Sequence, residues 1–314
     1  MDSKLNPGIE TLVQIARLYY YEDKTQSEIA AIMKVSRPQI SKLLMKAKEM
    51  NIVTVSVQSP ANNTQRLQDI LTGQFKLQSV CVVPERQTGY EAEELLAEDA
   101  ANYIDRFVAR ASNVGLGWGS LMYKICGKAV QQTLASNSDL APLCGSVTAT
   151  NHGYNTNELV RQYSTRFLIR PHFLYAPAFP LTQQERDAFC STENFNDCSA
   201  LWDAMDVAVF RISNHPCSPD LATGYRYGDR LDTYRAVGNF LTYYYDINGS
   251  VIPPENDFAI CATLDQLRAT PIRLAVASSF TSAESLLGAL RSGCVTHLIA
   301  AEHTLRDLVR LLDL

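Results

Sequence analysis

Arg37 and Gln39 stand two residues apart in the run Ser36-Arg37-Pro38-Gln39-Ile40-Ser41-Lys42, whose polar side chains have the chemistry to read nucleic-acid base edges. An arginine can donate two parallel hydrogen bonds to guanine, and a glutamine can pair with adenine through one donor and one acceptor. Thr25, Gln26, Ser41, Lys42 and Lys46 suit phosphate oxygens, which fix register without reading sequence. With Ser36 at the head of the run, these eight residues are the candidate DNA-facing set. Between positions 34 and 48 there are five cations, Lys34, Arg37, Lys42, Lys46 and Lys48, and no acid. Such a stripe is the electrostatic footprint of a DNA-reading module.

A second constellation is Val114-Gly115-Leu116-Gly117-Trp118-Gly119-Ser120-Leu121, placed between a strand-like and a helix-like segment. Glycines there let backbone N–H groups approach a ligand, and a helix N-terminus behind them favours an anion. Glycines at strand–helix turns also serve tight packing alone, so the motif admits both readings. Trp118 could stack on a sugar ring or wall the pocket.

The elements that must position the first set read as helices. Ile9 to Tyr21 carries apolar residues at helical spacing, and Glu22-Asp23-Lys24 interrupts it. Thr25-Gln26-Ser27-Glu28 has the form of a capping box, and Ser36-Arg37-Pro38-Gln39 that of a second one with proline in the first turn. Two short helices with separate start signals, joined by about four residues, make a helix-turn-helix. Ile29, Met33, Val35, Ile40 and Leu44 are expected to pack it together. A solvated helical hairpin is the plainer alternative, and the paired start signals with an acid-free second helix argue against it. Ile52 to Val57 alternates with period two and predicts a strand. Residues 59–64 are polar and turn-prone, so the expected division is 1–58, a linker at 59–65, and 66–314.

Beyond the linker, strand candidates at 79–83, 113–116, 145–148, 207–211, 251–253, 273–277 and 297–300 alternate with helix candidates. The latter lie at 90–111, 121–136, 157–167, 183–190, 283–292 and 303–312. Alternation with near-continuous apolar strands predicts an α/β fold, a Rossmann-like parallel sheet covered on both faces. Ligands in such folds sit beyond the C-terminal strand ends.

Composition narrows the class. A chain of 314 residues with 46% hydrophobic residues has the length for two domains and a sizeable core. No apolar run reaches the roughly 20 residues of a membrane span, and the opening MDSKLNPGIE lacks a secretion-signal layout. A cytoplasmic protein without membrane partners is the expectation. Residues 1–60 hold eight Lys/Arg against six Asp/Glu, whereas the remainder holds 20 against 27. The positive charge is therefore concentrated at one end. Eight cysteines, at 81, 126, 144, 190, 198, 217, 261 and 294, include no C-x-x-C pair, and no metal and no cofactor is expected. His152, His172, His215, His297 and His303 stand in no nucleophile–base spacing, so no catalytic residue is assigned. Tyr243-Tyr244-Tyr245 alternates faces and predicts core packing, and Trp202 and Asp203 read as structural.

The run ARLYYYEDKTQSEIAAIMKVSRPQISKLLMKAKEMNIVTVSV resembles the N-terminal domain of the SorC family of sugar-responsive bacterial regulators. TQ-x-EIA followed by SR-x-x-I-S-K-LL carries the match. Lys34 stands where the family usually has glycine, which predicts a positive φ, and Asn51 replaces a glycine just past the helix. VGLGWGSLMYKI, AVGNFLTYYYDINGSVI and ASSFTSAESLLGALRSGCVTHLIAAEHTLRDLV resemble segments of the family's effector domain, which is similar to phosphosugar isomerases. The resemblance implies a small sugar or sugar-phosphate effector, double-stranded operator DNA, and a homo-oligomer, dimer or tetramer. It places Gly117, Trp118, Gly119, Ser120, Arg211, Asn239, Ser279 and Ser282 at the effector. Asn239 stands for a family aspartate, Ser282 for a phosphate-pairing lysine, Ser278-Ser279 for two glycines, and Arg211 and Ser213 for glycines of a G-I-G turn. Arg211 could supply the missing cation, or point outward, or pair with an acid such as Asp206.

Three readings follow: a ligand-responsive DNA-binding regulator; a phosphosugar isomerase or deaminase with an appended helical domain; and a dimerisation module with a ligandless pocket. The second needs an acid and a base at the sugar C1–C2 atoms, and Asn239 removes one candidate.

Overall fold

The computed structural model describes residues 9–50, 52–53, 60–84, 90–130, 137–147, 155–216 and 221–314. The chain divides into two compact units, Met1–Ser59 and Pro60–Leu314.

In the first unit, α1 (Ile9–Tyr20), α2 (Gln26–Met33) and α3 (Arg37–Glu49) form a three-helix core. Ile15, Leu18, Ile29, Ala30, Ile40 and Leu44 are its buried centre, with Met33 and Val35 packed against it. The expected packing residues Ile29, Met33, Val35, Ile40 and Leu44 are all in this cluster, and Ile15, Leu18 and Ala30 add to it. Thr25 closes the capping box: its hydroxyl accepts from the Glu28 amide at 3.3 Å and its own amide donates to Glu28 Oε2 at 2.8 Å. The second box does not form. Ser36 is the N-cap, but its side chain makes no cap hydrogen bond. The Gln39 and Ile40 amides go instead to the Ser36 carbonyl, at 3.0 and 3.2 Å. Lys34 ends α2 with φ 54°, as the glycine of the resembling family at that position implies. The Ile52 and Val53 amides both reach the Ala47 carbonyl. They thus cap α3 rather than open the expected strand. Positions 51 and 54–57 of that reading lie outside the described residues.

The second unit begins with α4 (Pro60–Phe75), so residues 60–65 belong to a helix and not to a linker. Pro60 suits a first helical position, where no N–H is needed. Then follow β1 (Ser79–Val83), α5 (Tyr90–Val108), β2 (Asn113–Leu116), α6 (Ser120–Lys128), β3 (Asp139–Pro142), α7 (Thr156–Phe167), β4 (Arg170–Pro171), α8 (Gln183–Cys190) and α9 (Glu193–Asp203). The remainder is β5 (Val207–Asn214), α10 (Leu221–Tyr227), α11 (Arg230–Thr233), β6 (Gly238–Phe240), β7 (Tyr243–Tyr245), α12 (Leu264–Ala269), β8 (Ile272–Ala277), α13 (Ala283–Arg291), β9 (His297–Ala301) and α14 (Glu302–Leu311).

The sheet runs β1-β9-β8-β5-β2-β3-β4, parallel throughout, with β6 and β7 added antiparallel beyond β5. Alternate residues of one strand feed opposite cores. On β5, Val207 and Val209 join a cluster with α5, α6 and α7, while Ala208, Phe210 and Ile212 join one with α4, α9, α13 and α14. Burial on both faces explains why these strands read as continuous apolar runs. Trp202 is structural as expected, its indole N–H donating to the Pro142 carbonyl at 2.9 Å.

Two strand expectations are displaced. The strand in the 137–147 region is β3, not 145–148. Pro142 and Asp139 mask its signal, while Gly145 lies against Ala176 and Pro177, where a Cβ would meet backbone at 2.6 Å. Val251 makes only a single bridge, to Tyr245. The helix expected over 121–136 ends at Lys128, and 131–136 lie outside the described residues.

Candidate functional site

On the first unit, α3 has two distinct faces. Ile40, Leu44 and Ala47 are buried, whereas Arg37, Gln39 and Lys42 are exposed. Ser41 and Lys46 are half-buried, Ser36 and Thr25 exposed, and Gln26 half-buried. The helix start fixes this orientation, because Pro38 in the first turn and Ile40 in the core leave positions 37 and 39 outside. Arg37 lines an open cleft of about 570 Å3 with Thr25, Gln26, Tyr19 and Tyr20. The structure therefore brings the start of α2 and the start of α3 to one surface. Thr25 also holds the exposed Glu28 carboxyl below its ordinary range, through its hydroxyl and then its amide.

On the second unit, chain order reverses between β2 and β5. From β2 the sheet continues to β3 and β4 on one side, and from β5 to β8 and β9 on the other. A crevice outside the C-terminal ends of such strands is where ligands bind in open parallel sheets. The glycine loop leaves β2 here, and its glycines have different reasons to be glycine. At Gly115 a Cβ would meet Leu143 and Met205 at 2.4 Å, which is packing. Gly119 has φ 115°, and a Cβ there would lie 2.3 Å from Arg211 Nε.

Arg211, on β5, does not point outward and does not pair with Asp206. Its Nε donates to the Trp118 carbonyl at 3.2 Å, its guanidinium lies 5.2 Å from the centre of the Trp118 ring, and it donates to the Ser213 hydroxyl. Asp206 sits at the other end of β5, accepting the Ser112 and Asn113 amides at 2.7 and 2.9 Å. Ser213 is the register partner of buried Asn239 on β6. The next residue, Asn214, accepts the Ser282 amide and donates to the Phe280 carbonyl, both at 2.8 Å. Ser282 caps α13 by accepting the Ser285 amide at 3.2 Å. Trp118, Arg211, Asn239 and Ser282, with Gly117, Gly119 and Ser279 beside them in the chain, are thus joined by contacts at the C-terminal ends of β2, β5 and β8, and Ser120 is exposed on the first turn of α6.

Sequence reasoning missed Glu93, Asn214 and His303. Glu93 is buried at the start of α5 and accepts the Ser279 amide at 3.0 Å. His303 Nε2 lies 2.8 Å from the Ser279 carbonyl. Glu93 sits in the acidic first turn of a helix, where an acid ordinarily serves the helix dipole, so only the tertiary contact exposes its role.

Among the described residues no three His, Cys, Asp or Glu side chains are grouped to hold a metal ion, and no helix is long and apolar enough to cross a membrane.

Residues 59–310 match the family Sugar-bind, described as a putative sugar-binding domain. The chain is 25% identical over 311 residues to the Sorbitol operon regulator of Klebsiella pneumoniae, covering 96% of this chain and 98% of that one. It is 26% identical over 305 residues to the Deoxyribonucleoside regulator of Bacillus subtilis, covering 95% and 96%. The crystal structure of the full-length sorbitol operon regulator SorC from Klebsiella pneumoniae superposes with a TM-score of 0.72 at 24% identity, over 96% of this chain and 99% of that one.

Proposed function

This chain belongs to the sugar-binding-domain family of SorC-type transcription regulators, and from that premise we propose that it binds operator DNA through α3 and controls a carbohydrate or polyol operon in response to a small sugar-like effector. The observation that carries this is the two-faced α3, with apolar residues inward and Arg37, Gln39 and Lys42 exposed. The N-terminal end of a recognition helix meets base edges in the major groove. Arg37 and Gln39 read bases; Ser36, Ser41, Lys42 and Lys46, with Thr25 and Gln26 at the start of α2, hold phosphates. Residues 1–58 act as the DNA-binding domain, and the parallel-sheet unit binds the effector at Gly117–Ser120, Arg211, Asn239, Ser279 and Ser282. A single module of this size covers about one half-site, so the working form is a homo-oligomer, at least a dimer. The protein acts in the cytoplasm, where its operator is.

The relatives are regulators and not enzymes, and the crevice supplies no reason to revive an isomerase reading. Its Arg211 and Glu93 are both engaged with loop backbone, and among the described residues no further acid and base are paired there. Retardation of the DNA upstream of its own operon at low ionic strength, with release by a sugar or polyol, is the expected behaviour. Failure to retard that DNA at any protein concentration overturns the proposal.

A further inference from the structure

The loop between β8 and α13 is built like an anion cradle, yet the chain fills it. The loop leads its backbone amides into the start of α13, a place that ordinarily favours a phosphate or carboxylate group. Here the Ser279 amide goes to Glu93 Oε2 at 3.0 Å, and the Phe280 amide to the Ser278 hydroxyl at 3.0 Å. The Thr281 amide goes to the Ser278 carbonyl at 3.0 Å, Ser282 to Asn214, and Ser285 to Ser282. The Ser278 hydroxyl also donates to Glu93 Oε2, at 3.3 Å. Glu93 comes from a distant helix, α5, and is 8% exposed. Its placement is tertiary, not a local accident of the loop.

Resting on the regulator reading above, we infer that Glu93 makes this crevice selective for an uncharged polyol or sugar, because its carboxylate already occupies the amide-lined loop where an anionic group of the effector would dock. An incoming phosphate would have to expel Glu93 or sit beside it, and two anions sharing one poorly solvated site repel. A hydroxyl has the opposite relation to Glu93. Oε2 takes both loop donors, while Oε1 accepts no hydrogen bond among the described residues and can accept one from an effector hydroxyl. Across the crevice the Arg211 guanidinium is committed to the Trp118 carbonyl and the Ser213 hydroxyl. Among the described residues, Arg211 is the cation and buried Glu93 the anion that hydrogen-bond to these loops. Ser279 Oγ and Thr281 Oγ1, in the same loop, are buried without a hydrogen-bond partner among the described residues. The polar demand remaining in the loop is of the hydroxyl type.

The test is calorimetric titration of the full-length chain at constant ionic strength. The probes are inorganic phosphate and a panel of free hexitols, pentitols and hexoses, each beside its own phosphate ester. The wild type is expected to bind no phosphate ester more tightly than its free partner and to show no specific heat with inorganic phosphate. Glu93→Gln, which keeps an acceptor for the Ser279 amide and removes the charge, is expected to gain at least about tenfold in affinity for inorganic phosphate. A wild type that prefers a phosphate ester overturns the inference, whatever the variant does. If no panel compound binds the wild type, the phosphate titration of Glu93→Gln decides alone: gain supports the inference, and no gain overturns it. Promoter retardation with the same preparation reports separately on the regulator reading, since loss of DNA binding leaves the phosphate titrations unaffected.

Discussion

At Gly119 two demands coincide: a φ of 115°, which L side chains rarely adopt, and the space that Arg211 occupies above the loop. Gly119→Ala is expected to cost about 1–3 kcal/mol, the scale of backbone strain for a non-glycine residue in such a region. Adding Arg211→Ala should recover only the part due to the side-chain contact, because the dihedral strain remains. A denaturant-melt cycle of wild type, both singles and the double measures the split; full recovery in the double would show that φ costs nothing. His297 offers a second residue-scale expectation. It is 4% exposed, its Nδ1 lies 2.9 Å from the Thr296 hydroxyl, and burial, with Arg273 nearby, holds its pKa below the ordinary 6.5. The fold therefore favours neutral imidazole, whereas the unfolded chain takes up the proton near 6.5. The stability tied to neutral His297 is present above that pH and is lost as pH falls from there through the lowered folded value. His297→Gln should flatten that part of the stability–pH curve in chemical denaturation between about pH 7 and pH 5; an unchanged slope would assign the loss to other groups.

At the scale of elements, the two helix starts of the first unit look alike in sequence and differ in structure. Thr25 makes a complete capping box, and Ser36 makes no side-chain cap bond. Thr25→Ala is accordingly expected to lower stability by about 1 kcal/mol, while Ser36→Ala should fall within about 0.5 kcal/mol of wild type. Equal losses in urea melts would contradict this. The same comparison shows what was legible beforehand. The helix-turn-helix, the parallel sheet and the glycine loop are local patterns of period, cap and turn, and local patterns can be read along a chain; the left-handed Lys34 followed from the family resemblance. Strand β3 was hidden because Pro142 and Asp139 break the apolar signature. Helix α4 was hidden because Pro60-Ala61-Asn62-Asn63 reads as a turn when no packing partner is in view. In the crevice, the glycine loop and Arg211 could be named from sequence. Glu93, Asn214 and His303 could not, because their contacts join α5, β5 and α14 to one loop across long stretches of chain.

At the scale of the whole molecule, positive charge concentrates in the first 60 residues of a chain whose net charge is −5. DNA affinity should thus come from a small surface repeated in an oligomer. An effector can alter operator binding only if it favours one state of the protein over another; if the proposed site holds the effector, its occupancy and that of the operator are expected to be reciprocally linked. Affinity should fall steeply with added salt as bound phosphates release counterions. The central claim is that the exposed face of α3 reads the operator, and selection from a randomised DNA pool tests it most directly. Lys42→Ala is expected to select the same sites as wild type at weaker affinity, whereas Arg37→Ala is expected to lose preference at one base pair per half-site, worth about 1–3 kcal/mol. Identical selected sites for wild type and Arg37→Ala would contradict it.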